Sequence, residues 1–226
     1  MHALDLQQTI GNSVTEHPEL VKVYMDHQVD FCCGGDRTVS EALEKDGADL
    51  EAVLREAEEA MAAAGTGAAA GPGVVLLSDL TSGELVDRIV GRHHAFLKRE
   101  LPVLRELLST ILKVHGHRHE ELYEIHKVFR ELALELESHL VKEEEELFPK
   151  LASGGKECGE LIRELEREHD GAGEALHRLT ELTDHFRVPA DGCRTYGIAY
   201  GKLQELVADM YLHVHAENNV LFPRFH

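Results

Sequence analysis

The chain has no tryptophan, only six prolines and only four cysteines in 226 residues, and the last of these scarcities closes off a class of protein. Four cysteines are too few for a disulfide scaffold, and two of them, Cys32 and Cys33, are neighbours, a spacing that strains any bond between them. Cys158 and Cys193 read as small, half-buried apolar residues. Basic residues are outnumbered by acidic ones, 23 to 42, for a formal charge of -19. That field repels phosphate backbones and anionic lipids, so neither nucleic acid nor a membrane is an expected partner. No apolar run is long enough to span a bilayer, and Met1 to Thr9 has no basic stretch followed by an apolar one, which makes the cytoplasm the expected location. No segment alternates with period two over the length of a strand, so the fold expected is all-α.

What the chain does have is one phrase written twice: His139, Glu143, Leu147, Phe148, Pro149, and again His213, Glu217, Leu221, Phe222, Pro223. In both copies a carboxylate follows an imidazole by four residues, which on a helix places the two side chains one turn apart, about 6 Å between Cβ atoms. That geometry suits metal ligands. Each copy also has a histidine upstream, His94 ahead of His139 by 45 positions and His169 ahead of His213 by 44. The repeating unit is therefore a helical hairpin, and two hairpins make an up-down four-helix bundle with four imidazoles and two carboxylates aimed at its middle.

The apolar stripes carry these residues. The first reads Val86, Val90, His94, Leu97, Leu101, Leu104, Leu108, selecting His94 over His93, and the second Ile125, Val128, Leu132, Leu136, His139, Glu143, Leu147. The third reads Ile162, Leu165, His169, Ala172, Leu176, Leu179, and the fourth Ala199, Leu203, Leu206, Met210, His213, Glu217, Leu221. A buried carboxylate without a partner costs several kcal/mol, and no lysine or arginine lies on these positions, so a bound cation is the expected counter-charge. A single core histidine is more often structural, but six polar residues interrupting four apolar stripes are not explained that way.

Six nitrogen and oxygen donors without a thiolate exclude a cysteine-type structural zinc site and argue against calcium or magnesium, which prefer oxygen shells. Iron fits better, with manganese or zinc behind it. Two carboxylates able to bridge, with two imidazoles per metal, suit two iron ions joined by an oxo or hydroxo ligand, with a position left for an exogenous molecule.

The chain divides into a small helical domain with vicinal cysteines at 1-61, an Ala/Gly linker at 62-77, and the bundle at 78-226. Short helices are expected over Leu4 to Ile10, from Pro18 through Val23, over Val39 to Glu44 and from Leu50. In the bundle, Thr81 with Glu84 forms a capping box for a helix to about Leu108; further helices are expected over His119 to Leu147, Lys156 to His185, and from Gly192 to Pro223.

With these residues assembled, the stretch from about Leu80 to Phe225 resembles the hemerythrin-like cation-binding domain, through His94, His139 with Glu143, Glu168-His169-Asp170, and His213 with Glu217. The segment Asp30-Phe31-Cys32-Cys33-Gly34-Gly35, followed by the Thr38 to Leu43 helix start, resembles the short domain found ahead of it in the iron-sulfur cluster repair di-iron proteins.

The resemblance implies a non-haem di-iron protein of the stress response, restoring iron-sulfur clusters damaged by nitric oxide or peroxide by iron donation, by nitric oxide chemistry at the di-iron site, or both. Its clients would be iron-sulfur proteins or apo-clusters and its small ligand nitric oxide or dioxygen. The ligand set carried over is His94, His139, Glu143, His169, His213 and Glu217, with His115 where the family has a further histidine near the metals. A hemerythrin-like dioxygen carrier or sensor is the alternative, and a nitric oxide or peroxide reductase a third reading. Cys32 and Cys33 are read as a redox or metal relay; pairing between subunits would make a homodimer through the N-terminal domain.

Overall fold

The computed structural model describes residues 4–65, 76–154 and 158–225. Most of the expected Ala/Gly linker, and Lys156 at the expected start of the third bundle helix, lie outside the described residues. Among those described, the regular structure is helical, and no helix is long and apolar enough to cross a membrane. Within those residues the fold is all-α. Its residues gather into two compact units, one of 1–85 with 211–226, the other of 86–210.

In the first unit α1 (Ile10–Glu16), α2 (Leu20–Asp26), α3 (Val39–Lys45) and α4 (Leu50–Gly65) enclose Ile10, Leu20, Tyr24, Phe31, Val39, Leu43, Val53 and Ala57. Burying each aliphatic side chain contributes about 1.5–3 kcal/mol. Helix α1 starts six residues later than the Leu4 start the sequence suggests. Thr9 is the reason: its hydroxyl caps Asn12 N–H at 3.3 Å, while the residues before it form a turn whose Gln8 and Leu6 carbonyls accept the N–H groups of Val39 and Ser40. Thr38 and Glu41 form a reciprocal capping box that starts α3.

A short α5 (Ser82–Arg88) follows in the chain. The second unit holds α6 (Ala95–His115), α7 (Glu121–Lys142) with the short α8 (Phe148–Ala152) after it, α9 (Gly159–Leu182) and much of α10 (Arg194–His215), an arrangement consistent with a four-helix bundle. Helix α7 packs against both α6 and α9. Helix α10 meets α6 through Lys202 and Glu100, 2.5 Å apart. The short turn after His115 sends α7 back antiparallel. Helix α6 runs seven residues beyond the expected Leu108, because Leu108 and Ile111 continue its buried face and Pro102 lies on the exposed one. Helix α9 stops three residues short of the expected His185. There Thr183 accepts the Phe186 N–H at 3.1 Å, and Asp184, His185 and Phe186 turn left-handed at φ 47, 56 and 62°.

Among the described residues, three helical turns are widened to π geometry: Ile89–His94, Glu143–Leu147 and Ala216–Leu221. In the second and third the N–H of Phe148 bonds Glu143 O and that of Phe222 bonds Glu217 O, closing rings over five residues. A proline follows each of these phenylalanines. Its ring clashes with the carbonyl four residues back, and a wider turn relieves the clash. The first widened turn also explains why Leu85 and Ile89 are buried where the stripe read Val86 and Val90: an inserted residue shifts the inward face by one position.

Candidate metal centre

Each widened turn carries or ends on one of the residues singled out above. In the 86–210 unit, His94 closes the first, Glu143 opens the second, and His139 lies one turn before Glu143. Glu143 is fully buried, with His94 Nε2 3.3 Å from Oε2 and His139 Nε2 3.3 Å from Oε1. From α9, His169 brings its Nε2 to 3.0 Å from His139 Nε2. The ligand atoms of His139, Glu143 and His169 fall within 4.8 Å of one another. Ring nitrogens of two buried histidines facing each other beside a buried carboxylate form a donor set that a cation would hold together.

The outer nitrogens of two of these rings are held by carboxylates the sequence reading did not select. Glu144 Oε1 lies 2.7 Å from His94 Nδ1, and Glu168 Oε2 lies 2.8 Å from His139 Nδ1. A carboxylate behind a ligating imidazole fixes its tautomer and leaves Nε2 to face the metal. Burial pushes the Glu144 carboxyl up, but Lys98 and His94 outweigh it and hold it below its ordinary value; Lys142 and His139 do the same for Glu168. The signal for Glu144 and Glu168 is adjacency to a candidate ligand, which does not say which helix the side chain will serve. Glu168→Gln should weaken metal binding about 10–100-fold while leaving the metal count at saturation unchanged. Titration against a competing chelator reads this, and an unaltered affinity would remove the bracing role. Because both carboxyls are depressed, the bracing is complete above the ordinary carboxylate range and is lost as pH falls through the lowered values.

A cleft of about 370 Å³ opens on His139 and His169, with Arg167, Glu168, Gly171 and Ala172 among its lining residues. Small residues on α9 leave that opening, since a Cβ added at Gly171 would meet nothing within 4 Å.

In the other unit, His213 Nε2 lies 3.0 Å from Glu217 Oε1, both fully buried. Tyr211, His215 and Asn219, spaced by four residues, meet the cysteine segment. Phe31 lies 5.6 Å from the Tyr211 ring and 5.8 Å from His215, and Asn219 Nδ2 donates to Cys32 O at 3.0 Å. Burial takes His215 down to about 4, against a raising hydrogen bond with the Phe31 backbone, so it is neutral at pH 7. Asp30 anchors the cysteines: Oδ1 accepts N–H groups of Cys32 and Cys33 at 2.9 and 3.1 Å and the Cys32 thiol at 3.2 Å. Burial pushes the Cys32 thiol well up, and Cys33 and Asp30 push it further. Cys32 is therefore a protonated thiol at neutral pH; Cys33 is half-exposed.

His115 is not brought to the His94 cluster. It ends the helix that begins beside His94, 21 residues on, or roughly 30 Å at 1.5 Å per residue. There it hydrogen-bonds Cys193, which is exposed rather than half-buried. That bond, with backbone bonds from Tyr196 and Thr195, takes the Cys193 thiol down to about 7. Cys158 is buried.

The donor set, its helical frame and its carboxylate bracing define a cation-binding helical domain. The sequence pattern of the Hemerythrin HHE cation binding domain matches residues 85–225, and a domain of unknown function, DUF542, matches residues 6–61. The chain is 34% identical over 218 residues to the iron-sulfur cluster repair protein YtfE of Enterobacter sp. (strain 638), covering 96% of each chain. It is 30% identical to a probable iron-sulfur cluster repair protein of Haemophilus influenzae, again over 96% of each. With ScdA of Staphylococcus haemolyticus, also named an iron-sulfur cluster repair protein, it shares 27% identity over 97% of this chain and 98% of the relative. The chain belongs to the iron-sulfur cluster repair proteins that carry a hemerythrin HHE domain.

Proposed function

We propose that this chain is a non-haem di-iron protein that repairs iron-sulfur clusters damaged by nitrosative or oxidative stress, working in the cytoplasm on iron-sulfur proteins or apo-clusters. The ligands in this reading are His94, His139, Glu143, His169, His213 and Glu217. The observation that carries it is the buried Glu143 flanked by inward ring nitrogens of His94 and His139, each ring backed by its own carboxylate. The second His-x-x-x-Glu copy is followed by the same Leu-Phe-Pro and ends in the same kind of widened turn, which supports reading it as a ligand pair of the same type.

Bound iron would supply a redox-active ion with a coordination position for nitric oxide or dioxygen. The protein's part is to hold the imidazoles in one tautomer, to keep the carboxylates dry, and to leave a cleft beside His139 and His169. Braces at the protein surface suit a donor: Lys98, which holds Glu144, is exposed, and protonation or displacement of such a brace loosens the ring it supports. We take iron donation as the principal activity, with Cys32 and Cys33 as a redox or metal relay. A dioxygen carrier has no use for paired thiols, and the relatives' names point to repair.

The test is anaerobic transfer. Protein loaded with ferrous iron and mixed with an apo-cluster acceptor and inorganic sulfide should lose that iron as the cluster forms, one stoichiometric round without an electron donor. Cys32→Ala with Cys33→Ala should keep its iron and slow repair at least several-fold. Iron retained through reconstitution would sink the donor reading, and undiminished repair by the double variant would sink the relay.

A further inference from the structure

The segment from Asp30 to Gly35 is braced more heavily than a loop that merely connects α2 to α3 requires. Arg37 spans it, donating from Nη2 to Asp30 O at 2.8 Å and from Nε to Gly34 O at 3.0 Å, while Nη1 pairs with Asp46 at 3.0 Å. Asp30 Oδ2 takes the Gly34 N–H at 3.0 Å, and Asn219 holds the Cys32 carbonyl. The product of this bracing is a fixed distance: the two sulfurs stand 3.8 Å apart. Two thiolates each about 2.3 Å from a tetrahedral metal are separated by about 3.8 Å. A carboxylate oxygen completing such a site would sit about 3.5 Å from sulfur, and Asp30 Oδ1 is 3.2 Å from Cys32 Sγ. One ligand atom from each of Asp30, Cys32 and Cys33 lies within 4.8 Å of the others.

From this geometry we propose that Asp30, Cys32 and Cys33 form a second metal site, separate from the histidine–glutamate ligands, which takes a thiolate-accepting tetrahedral divalent cation of the ferrous or zinc class with one position open. The inference deepens the relay reading of the cysteine pair and rests on it. The proton balance is explicit. The cation displaces the two thiol protons to solvent, forms two metal–sulfur bonds, and occupies the place on Oδ1 that the Cys32 S–H holds in the free site. The backbone N–H bonds from Cys32 and Cys33 to Oδ1 remain and orient the ligating carboxylate. Two thiolates and a carboxylate exceed the cation's charge by one, and the Arg37 guanidinium, 3.6 Å from Asp30 Oδ2, stands beside that excess. Half-exposed Cys33 gives the entry side; buried Cys32 gives the closed one.

Cobalt(II) is the probe, because only sulfur ligands give an intense thiolate-to-cobalt charge-transfer band, and the histidine–glutamate ligands contain no sulfur. Added anaerobically to the chain of 226 residues carrying two irons, it should raise that band to saturation at one cobalt per chain, with two protons released. Cys32→Ser with Cys33→Ser should abolish the band, and Cys33→Ser alone should weaken binding by at least tenfold even if the double variant folds poorly. Cys158→Ser and Cys193→Ser should keep it. Absence of the band in the unmodified chain, or its survival in the double serine variant, overturns the site. The repair assay separates this from the relay: normal repair by the alanine variant removes the relay, whereas a missing band removes only the metal.

Discussion

Replacing His139 and Glu143 together by alanine is expected to reduce iron from the proposed two per chain to a small fraction, while the protein stays helical. The two residues are not equivalent in what they remove. Glu143 places an oxygen 3.3 Å from His94 Nε2 and another 3.3 Å from His139 Nε2, so its loss deprives both rings of the group they converge on. His139 takes with it the partner of His169 and the group that Glu168 braces. What remains is an apolar frame. Leu136, Leu140 and Leu147 on the same stretch are buried, as are Ile162, Leu165 and Leu176 on α9, and truncating two polar side chains leaves that burial in place. Removing a wholly buried carboxylate offsets part of the cavity that the two truncations leave, so the apoprotein of the variant should stay folded. Elemental analysis after anaerobic purification, with far-ultraviolet circular dichroism, reads both halves. Two irons retained per chain would show that the ligands lie elsewhere.

The residues in that prediction were legible because helical periodicity and metal chemistry ask for the same positions. On α9 and α10 the inferred stripes are the buried ones, His169 and His213 among them. In the helix entering α6 the buried face lies one position from the periodic stripe, since a widened turn at 89–94 adds a residue that no periodicity of 3.6 contains. The Leu-Phe-Pro triplets were a usable signal for two of the three widened turns; Ile89–His94 has no proline after it and no comparable mark.

Contacts between helices were harder to read than positions along them. Glu168 neighbours His169 in the chain, yet it serves His139 on α7, because a side chain at the edge of one helix is set to reach the next. Tyr211, His215 and Asn219 recur every four residues, so their shared face was visible, but the sequence does not say that the Phe31–Gly35 segment is what that face meets. His115 shows the opposite failure. Its place in the resemblance put it near the metals, while the length of the helix that carries it puts it with Cys193.

The contact of Asn219 with the cysteine segment yields the second large effect. A Cβ built on Gly35 would lie 2.1 Å from Asn219 Oδ1 and 2.6 Å from its Cγ, far inside contact distance. Gly35→Ala should therefore cost about 1–3 kcal/mol, the usual range for forcing extra volume into a packed site. Asn219→Ala alone should cost about 1–2 kcal/mol, because the Cys32 carbonyl loses the Nδ2 donor at 3.0 Å. The two costs should not add. Truncating Asn219 removes the three atoms nearest the alanine at 35, so the double variant should resemble Asn219→Ala by itself, with a coupling of about 1 kcal/mol or more in the double-mutant cycle. Both single variants should also loosen the spacing of Cys32 and Cys33, read as faster alkylation of Cys32, whose burial otherwise protects it. Denaturant unfolding of the four proteins decides the matter. Strict additivity would mean that Gly35 is required for its own backbone and not for the side chain packed upon it.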